Sequence, residues 1–159
     1  MTEIREVAPD QDDILTQHYL AIWESYGTPK EHLLADAEVR VREFIRETRQ
    51  QRGLGAFFAL VDGNRVGSAA SGLYVSPYPV VRKPEFQLDG YIWHVFVEAE
   101  HRGKGIATEL VNTATQHLKS LGCTKVILHS SDAGEGVYRR IGFELAKEMR
   151  MLLADAPQG

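Results

Sequence analysis

The amino-acid sequence predicts an α+β domain built around one mixed sheet. The chain has 159 residues, which is the usual length of a single domain (1–159). The spacing of its apolar residues changes from helix-like to strand-like near Gly55, and a strand–helix–strand crossover follows in the C-terminal half. The predicted order of elements is therefore β-α-α-β-β-β-α-β-α-β.

The N-terminal half is predicted to hold one strand and two amphipathic helices. The strand covers Glu3–Val7. Asp10 is the predicted N-cap of the first helix, which ends at Gly27 and Pro29. The second helix carries apolar residues at helical spacing from Leu33 to Thr48. Its other face mixes both signs of charge, which predicts a solvated surface with ion pairs.

A strand-rich middle region follows. Ala56–Val61 and Val66–Val75 are predicted antiparallel strands, because Asp62-Gly63-Asn64 between them is typical of a hairpin turn. Three prolines in Ser76–Gln87 predict a loop, and Leu88–Val97 is the next strand.

The C-terminal region begins with a helix over Gly105–Leu121, and Gly122 stands where a helix commonly ends. The remaining predicted elements are a buried strand Val126–Leu128, a short helix Gly136–Arg140 closed by Gly142, and a final strand Phe143–Leu153.

Composition excludes several classes of protein. Apolar residues make up 43% and charged residues 25%, as in a soluble globular domain. The longest apolar run, Ala56–Val61, is far shorter than the ~20 residues of a membrane span, and the N-terminus has no signal-peptide core. A net charge of −4 without a basic tract argues against a nucleic-acid partner. The single cysteine, Cys123, predicts a reduced thiol in the cytoplasm and no thiolate metal site.

The segment before the Gly105–Leu121 helix contains the residues that predict a binding site. Gly103, Gly105 and Ala107 leave the first turn without bulky side chains, so its unpaired N–H groups and the helix dipole predict an anion site. Arg102 and Lys104 add positive charge. The alternative is that the glycines only shape a tight turn. Neither a Walker loop nor a dinucleotide fingerprint is present.

Two motifs resemble the GCN5-related N-acetyltransferase (GNAT) superfamily. Arg102–Ala107 matches its Arg/Gln-x-x-Gly-x-Gly/Ala signature, and Val137–Phe143 matches its Tyr followed by Gly-Phe at the end of a short helix. The resemblance is close over about residues 88–153, the predicted cofactor-binding core. It implies a mixed, mostly antiparallel sheet with splayed central parallel strands and helices on both faces.

The resemblance also implies acetyl-coenzyme A as co-substrate, held between the splayed strands, and no metal. Arg139 and Arg140 would either contact its 3′-phosphate or remain solvated. The residues implied for cofactor binding are Val95, Phe96 and Val97 on the strand, Arg102, Gly103, Lys104, Gly105, Ile106, Ala107 and Thr108 at the turn, and Ser131 further on.

The implied reaction is acyl transfer, in which an amine attacks the thioester through a tetrahedral intermediate. Tyr138 would lie near the sulfur, and a phenol with a pKa of ~10 can protonate the departing thiolate. Relatives often place a base on the strand before the turn, where this chain has Tyr91 and Trp93, so His94, the nearest titratable group, is the candidate base. The alternative for His94 is a structural histidine. Strict alternation turns His94 away from the face of Trp93, although a bulge would re-aim it. Glu98 and Asp89 are the alternatives.

The sequence therefore predicts an N-acetyltransferase acting on a small-molecule or peptide amine. Two alternatives remain: a coenzyme A-binding module without chemistry, and a transferase for a longer acyl group. The resemblance also allows a homodimer. The amine would enter beside the N-terminal helices, where the residues that could line the entrance are His18, Trp23, Tyr26, Tyr74, Tyr78 and Trp93.

Overall fold

A five-stranded mixed sheet forms the centre of the fold, with strand order β1-β2-β3-β4-β5. The computed structural model describes residues 1–78 and 80–153, so Pro79 of the predicted loop lies outside the described residues. Only β4 and β5 are parallel, and all other neighbours are antiparallel, which confirms the predicted sheet. The strands are β1 (Thr2–Glu6), β2 (Gly55–Val61), β3 (Asn64–Tyr74), β4 (Asp89–Val97) and β5 (Lys125–Leu128).

Helices cover both faces of this sheet. Leu15, Ile45 and Phe58 belong to a buried cluster that joins the two N-terminal helices to one face. On the other face the C-terminal helices pack around a cluster that includes Val111 and Leu118. The four helices are α1 (Asp12–Ser25), α2 (Ala37–Gln51), α3 (Ile106–Ser120) and α4 (Asp132–Ile141).

Turn chemistry predicted from single residues is largely confirmed. Asp62 and Gly63 have φ angles of 49° and 80°, and left-handed residues at both positions suit the tight β2–β3 hairpin. Gly27 and Gly122 also have positive φ, just beyond the ends of α1 and α3. On α2, the solvated face carries the predicted ion pairs, such as Arg42 with Glu38.

Three predicted helix starts are wrong. Asp10 is not an N-cap, because Pro9–Gln11 forms a 3₁₀ turn that the Gln11 side chain stabilises by accepting a 3.3 Å hydrogen bond from the Ala8 N–H. Likewise, Lys30–His32 forms a 3₁₀ turn, and α2 begins only at Ala37. The last helix begins earlier than predicted, at Asp132.

The predicted final strand, Phe143–Leu153, is also wrong. Residues 143–153 form no helix or strand in the described part of the chain, and Leu145, Met149 and Leu153 are exposed. The apolar alternation that predicts a strand is present, but a strand also needs a partner edge. The adjacent strand β5 is only four residues long.

Candidate active site

The turn between β4 and α3 exposes main-chain donors. Gly103 and Gly105 have φ angles of 73° and 84°, and Gly105 is the N-cap of α3, with no side-chain cap. Within the described residues, no acceptor bonds the N–H groups of Ile106, Ala107 or Thr108. A side chain at Gly105 would meet no atom within 4 Å, so the left-handed backbone, rather than crowding, requires glycine there. The turn therefore has the free main-chain donors that an anion site needs, and anion binding there stays a prediction.

The two predicted cations at this turn differ in their surroundings. The Arg102 Nε donates a 2.9 Å hydrogen bond to the Val97 carbonyl, which ties the turn back to the end of β4. Lys104 is exposed to solvent. Arg102 is therefore placed to hold the turn in shape, and the Val97 carbonyl already has a partner.

An open edge of β4 leads towards this turn. β5 pairs with β4 only from Asp89 to Ile92, whereas β3 follows β4 as far as Val97. From Trp93 onward, one edge of β4 therefore has no strand beside it in the described residues. The predicted splay between the parallel strands is present.

The Glu98 N–H donates to the Val66 carbonyl of β3. By alternation, the main-chain groups of Phe96 also face β3, and those of Val95 and Val97 face the open edge of β4.

A bulge in β4 decides where His94 points. Ala70 of β3 pairs with His94 and Ser71 pairs with Ile92, so Trp93 is an extra residue in the ladder. As a result, Trp93 and His94 both contact Tyr19 of α1, with ring centroids 5.8 and 5.9 Å away. The bulge thus overrides the strict alternation that separates these neighbours.

His94 is deeply buried, with 1% of its surface exposed. Its Nε2 lies 2.7 Å from Ser68 Oγ, which in turn lies 2.8 Å from His18 Nδ1. The Nδ1 atom of His94 has no partner among the described residues. Burial, followed by the nearby His18, lowers the pKa of His94 to about 3. Burial and the positive charge of Arg65 lower the pKa of His18 to about 4.

Tyr138 lies on α4 and packs half-buried against the α3 side of the sheet. Gly134 leaves room for its ring, because a Cβ there would lie 2.9 Å from Tyr138 Cε2. Burial raises the pKa of the Tyr138 phenol, and the phenol of Tyr26 raises it further. The group therefore remains protonated at neutral pH and can donate a proton.

The two alternative bases lie in different surroundings. Asp89 is 4% exposed and pairs with Lys125 across β4 and β5, with 3.4 Å between Oδ1 and Nζ. Glu98 lies just beyond β4, and its carboxylate is within 4.8 Å of ligand atoms of Glu100 and His101.

Two further predicted groups have local structural roles. The Ser131 Oγ accepts a 3.2 Å hydrogen bond from the Gly134 N–H and caps α4. Arg139 pairs with Glu135 on the exposed surface of α4, which favours its solvated alternative.

Aromatic rings continue from His94 along α1. Tyr19 lies 6.4 Å from Trp23, and Trp23 lies 5.8 Å from Tyr26, between ring centroids. Trp23 and Tyr26 are partly exposed, whereas Tyr78 stands in solvent on the β3–β4 loop. Of the residues predicted to line the entrance, Trp23 and Tyr26 thus lie together in the structure, whereas Tyr78 lies apart from them.

Sequence reasoning missed Ser68 and its part in joining two histidines. The available signal was a pair of hydroxyls, Ser68 and Ser71, inside the small and apolar run of β3, and both are fully buried in the structure. Buried hydroxyls require partners, but the sequence alone does not identify them.

Known proteins match both the sequence and the fold. The Acetyltransferase (GNAT) family profile matches residues 15–143. A curated relative, N-acetyltransferase 8B from Rattus norvegicus, is 30% identical over 127 residues, which cover 77% of this chain and 54% of that protein. This chain thus spans about half the length of that relative.

Solved structures agree with this match at the level of fold. A GCN5-related N-acetyltransferase from Ralstonia eutropha superposes with a TM-score of 0.79 at 20% identity, covering 97% of this chain and 99% of that one. A predicted acetyltransferase with acetyl-CoA from Clostridium acetobutylicum gives 0.78 at 22% identity, covering 96% of each. In the described part of this chain, no helix has the length and apolar character of a membrane span.

Proposed function

The chain belongs to the acetyltransferase (GNAT) family, as its two motifs predicted, and on that premise we propose that it transfers an acetyl group from acetyl-coenzyme A to a primary amine. The observation that carries this proposal is the continuity of two features. The open edge of β4 leads directly to the bare first turn of α3. An extended arm ending in a diphosphate would fit this arrangement.

The turn residues would hold the diphosphate of the co-substrate. The N–H groups from Gly103 to Thr108 would donate to its oxygens, and Lys104 would add charge. Arg102 would act mainly by holding the turn against Val97. Val95 and Val97 would bond the arm of the co-substrate through main-chain groups, Val97 through its N–H because Arg102 holds its carbonyl. The main-chain groups of Phe96 face β3 instead. The hydroxyl hydrogen of Ser131 remains available as a donor.

Two side chains would move protons during the transfer. The co-substrate supplies the thioester that the amine attacks. Tyr138 would protonate the departing thiolate, which its raised pKa supports. His94 would accept the amine proton at Nδ1, the ring nitrogen that has no partner in the described residues.

A coenzyme A-binding module without chemistry is the second candidate. The burial of His94 favours it, because a fully enclosed imidazole with a pKa of about 3 is a poor base by itself. A longer acyl group is a further variant of the transferase proposal.

The acceptor would be a small-molecule or peptide amine. We also propose that residues 1–159 form one domain. We propose a cytoplasmic location, since a lone half-buried cysteine suits a reducing compartment. Nucleic acid is not a proposed partner because the chain is acidic. A homodimer remains a prediction of the resemblance.

A binding and turnover experiment separates the two candidates. Calorimetry would measure coenzyme A binding, and a thiol-release assay with acetyl-coenzyme A would measure turnover over a panel of amines. The transferase proposal predicts micromolar binding and turnover of at least one amine. Tight binding with no thiol release on any amine would instead support the binding module. Parallel assays with longer acyl-coenzyme A thioesters would decide the acyl group.

A further inference from the structure

A continuous polar chain crosses the otherwise apolar layer between the sheet and α1. It connects His94 of β4 to Ser68 of β3 and then to His18 of α1, over two contacts of 2.7 and 2.8 Å. Ser68 is fully buried and His94 nearly so, whereas His18 is half-buried. The chain therefore runs from an enclosed group towards one that is nearer to solvent.

The single hydroxyl hydrogen of Ser68 couples the tautomers of the two histidine rings. A serine hydroxyl has a single hydrogen, so Ser68 donates to one imidazole and accepts an N–H from the other. When His94 donates from Nε2, Ser68 donates to His18 Nδ1, and the proton of His18 is then on Nε2. When His18 donates from Nδ1, both rings hold the opposite tautomer. The two rings thus change tautomer together.

Both rings are neutral at neutral pH, since burial lowers the pKa values of His94 and His18 far below 7. The enclosed His94 cannot keep an added proton as a cation, because a buried charge without a counter-ion is costly. Proton transfer from the amine to an isolated imidazole in this position would therefore not go to completion. A partner that removes a second proton from the same ring eliminates this cost.

We propose that Ser68 and His18 form a proton relay behind His94, which carries the acceptor amine's proton out towards solvent. This inference rests on the proposed acetyl transfer. In each turnover, His94 Nδ1 takes one proton from the ammonium, directly or through one water. The Nε2 proton of His94 passes to Ser68 Oγ, the hydroxyl proton passes to His18 Nδ1, and the Nε2 proton of His18 passes to water. After the product leaves, His94 releases its Nδ1 proton to water in the emptied acceptor site, His18 takes up one proton from water at Nε2, and the hydrogen bonds through Ser68 reverse, which restores the starting tautomers.

The surroundings favour this direction of transfer. Phe58 and Phe96 lie against the His18 ring, with centroids 5.9 and 4.6 Å away, and Tyr19 stacks on His94. These rings shield the relay from bulk water along its length. Arg65 is the charged group that acts on His18, and its positive charge favours release of the proton. The unpartnered Nδ1 of His94 provides the point of entry.

Three variants test the relay in the full chain. His18→Asn keeps a polar group near the Nδ1 position but cannot pass a proton, and Ser68→Ala removes the hydroxyl. His117→Asn is the matched control, because His117 is a half-buried histidine that bonds the Gly53 carbonyl at 2.9 Å on the other face of the sheet. For each, kcat, the KM for acetyl-coenzyme A and Tm are measured with an alkylamine that the wild type acetylates.

The relay predicts a pH-dependent loss. At pH 7, where the amine carries a proton, His18→Asn and Ser68→Ala lower kcat about 100-fold, with the KM for acetyl-coenzyme A unchanged within about twofold. Near pH 10, close to the alkylammonium pKa of ~10.4, roughly a third of the amine is neutral without help from a base, and the loss shrinks several-fold. His117→Asn lowers Tm but leaves kcat unchanged.

Other outcomes overturn the relay in distinguishable ways. If the wild type turns over and both relay variants keep kcat within about twofold at pH 7, the relay is wrong while the proposed function stands. An equal loss at pH 7 and pH 10 indicates a structural role only. If the wild type binds acetyl-coenzyme A but acetylates no amine, the proposed function and the relay fail together.

Discussion

At the turn before α3 the candidate functional groups belong to the main chain, whereas behind β4 they belong to three side chains from three elements. The turn depends on consecutive residues, with Gly103 and Gly105 setting the direction of the N–H groups. His18, Ser68 and His94 are separated by 50 and 26 residues and meet only because the sheet forms with a bulge. Local sequence thus specifies the first site, and tertiary structure specifies the second.

The largest expected effect comes from distorting the turn. Gly105→Val forces a β-branched residue into a left-handed backbone, so the first-turn amides lose their common direction. Several charge-assisted hydrogen bonds would be lost together, and we expect coenzyme A binding to weaken about 1000-fold or more by calorimetry.

Gly27→Val is the matched control for this variant. Gly27 also has positive φ and open space around it, but it lies beyond α1. Its substitution should lower Tm to a similar extent and leave coenzyme A affinity intact. Equal loss of affinity in both variants would show that general strain, and not the turn, is responsible.

The next effect concerns the proton donor. Tyr138→Phe removes the phenol and keeps the ring that packs beside Phe143, so the fold should persist. We expect kcat to fall about 100-fold with coenzyme A affinity unchanged. Tyr78→Phe removes an exposed phenol that stands apart from the site and should change kcat by less than about twofold. Wild-type turnover by the Tyr138 variant would remove that residue from the mechanism.

A smaller effect separates shape from charge at the turn. Arg102→Lys keeps the positive charge but loses the Nε donor to the Val97 carbonyl. If Arg102 acts by holding the turn, the KM for acetyl-coenzyme A rises about tenfold, the value of one charge-assisted hydrogen bond. An unchanged KM would mean that charge alone matters.

The smallest effect is on stability. The pKa of His94 is about 3 in the folded protein, below the ordinary value of 6.5, so the unfolded chain takes up the proton first as pH falls. The stability that this group contributes is complete above pH 6.5 and is lost towards pH 3. By pH 5.5 the loss is about 1.4 kcal/mol.

Urea unfolding at pH 7.5 and 5.5 measures this loss. His94→Asn should show a flatter dependence of the unfolding free energy on pH than the wild type. Identical slopes would mean that His94 is not held neutral by the fold.

The contrast between the turn before α3 and the side chains behind β4 also explains which features could be predicted from the sequence. The hairpin at Asp62 and Gly63 and the turn at Gly103 and Gly105 follow from backbone preferences of single residues, and all four have positive φ in the structure. Anion binding at the second turn stays a prediction. The orientation of His94 depends on the bulge at Trp93, which arises from pairing with a distant strand.

Predictions that needed a tertiary partner were the least accurate. The segment Phe143–Leu153 alternates like a strand, but the adjacent β5 is short and residues 143–153 form no strand in the described chain. Asp10 is a good capping residue by type, but Pro9 begins a 3₁₀ turn that displaces the helix start to Asp12. A sequence pattern indicates which secondary structure a segment favours, and the segment's neighbours in the fold determine whether that structure forms.

The most direct test of the account is a crystal structure of the protein with coenzyme A. The proposed cofactor site predicts diphosphate oxygens within hydrogen-bond distance of the N–H groups of Gly103 to Thr108, the arm along the open edge of β4, and the sulfur facing the Tyr138 hydroxyl. A complex in which the diphosphate lies away from this turn, with these amides bonded to water alone, would contradict it.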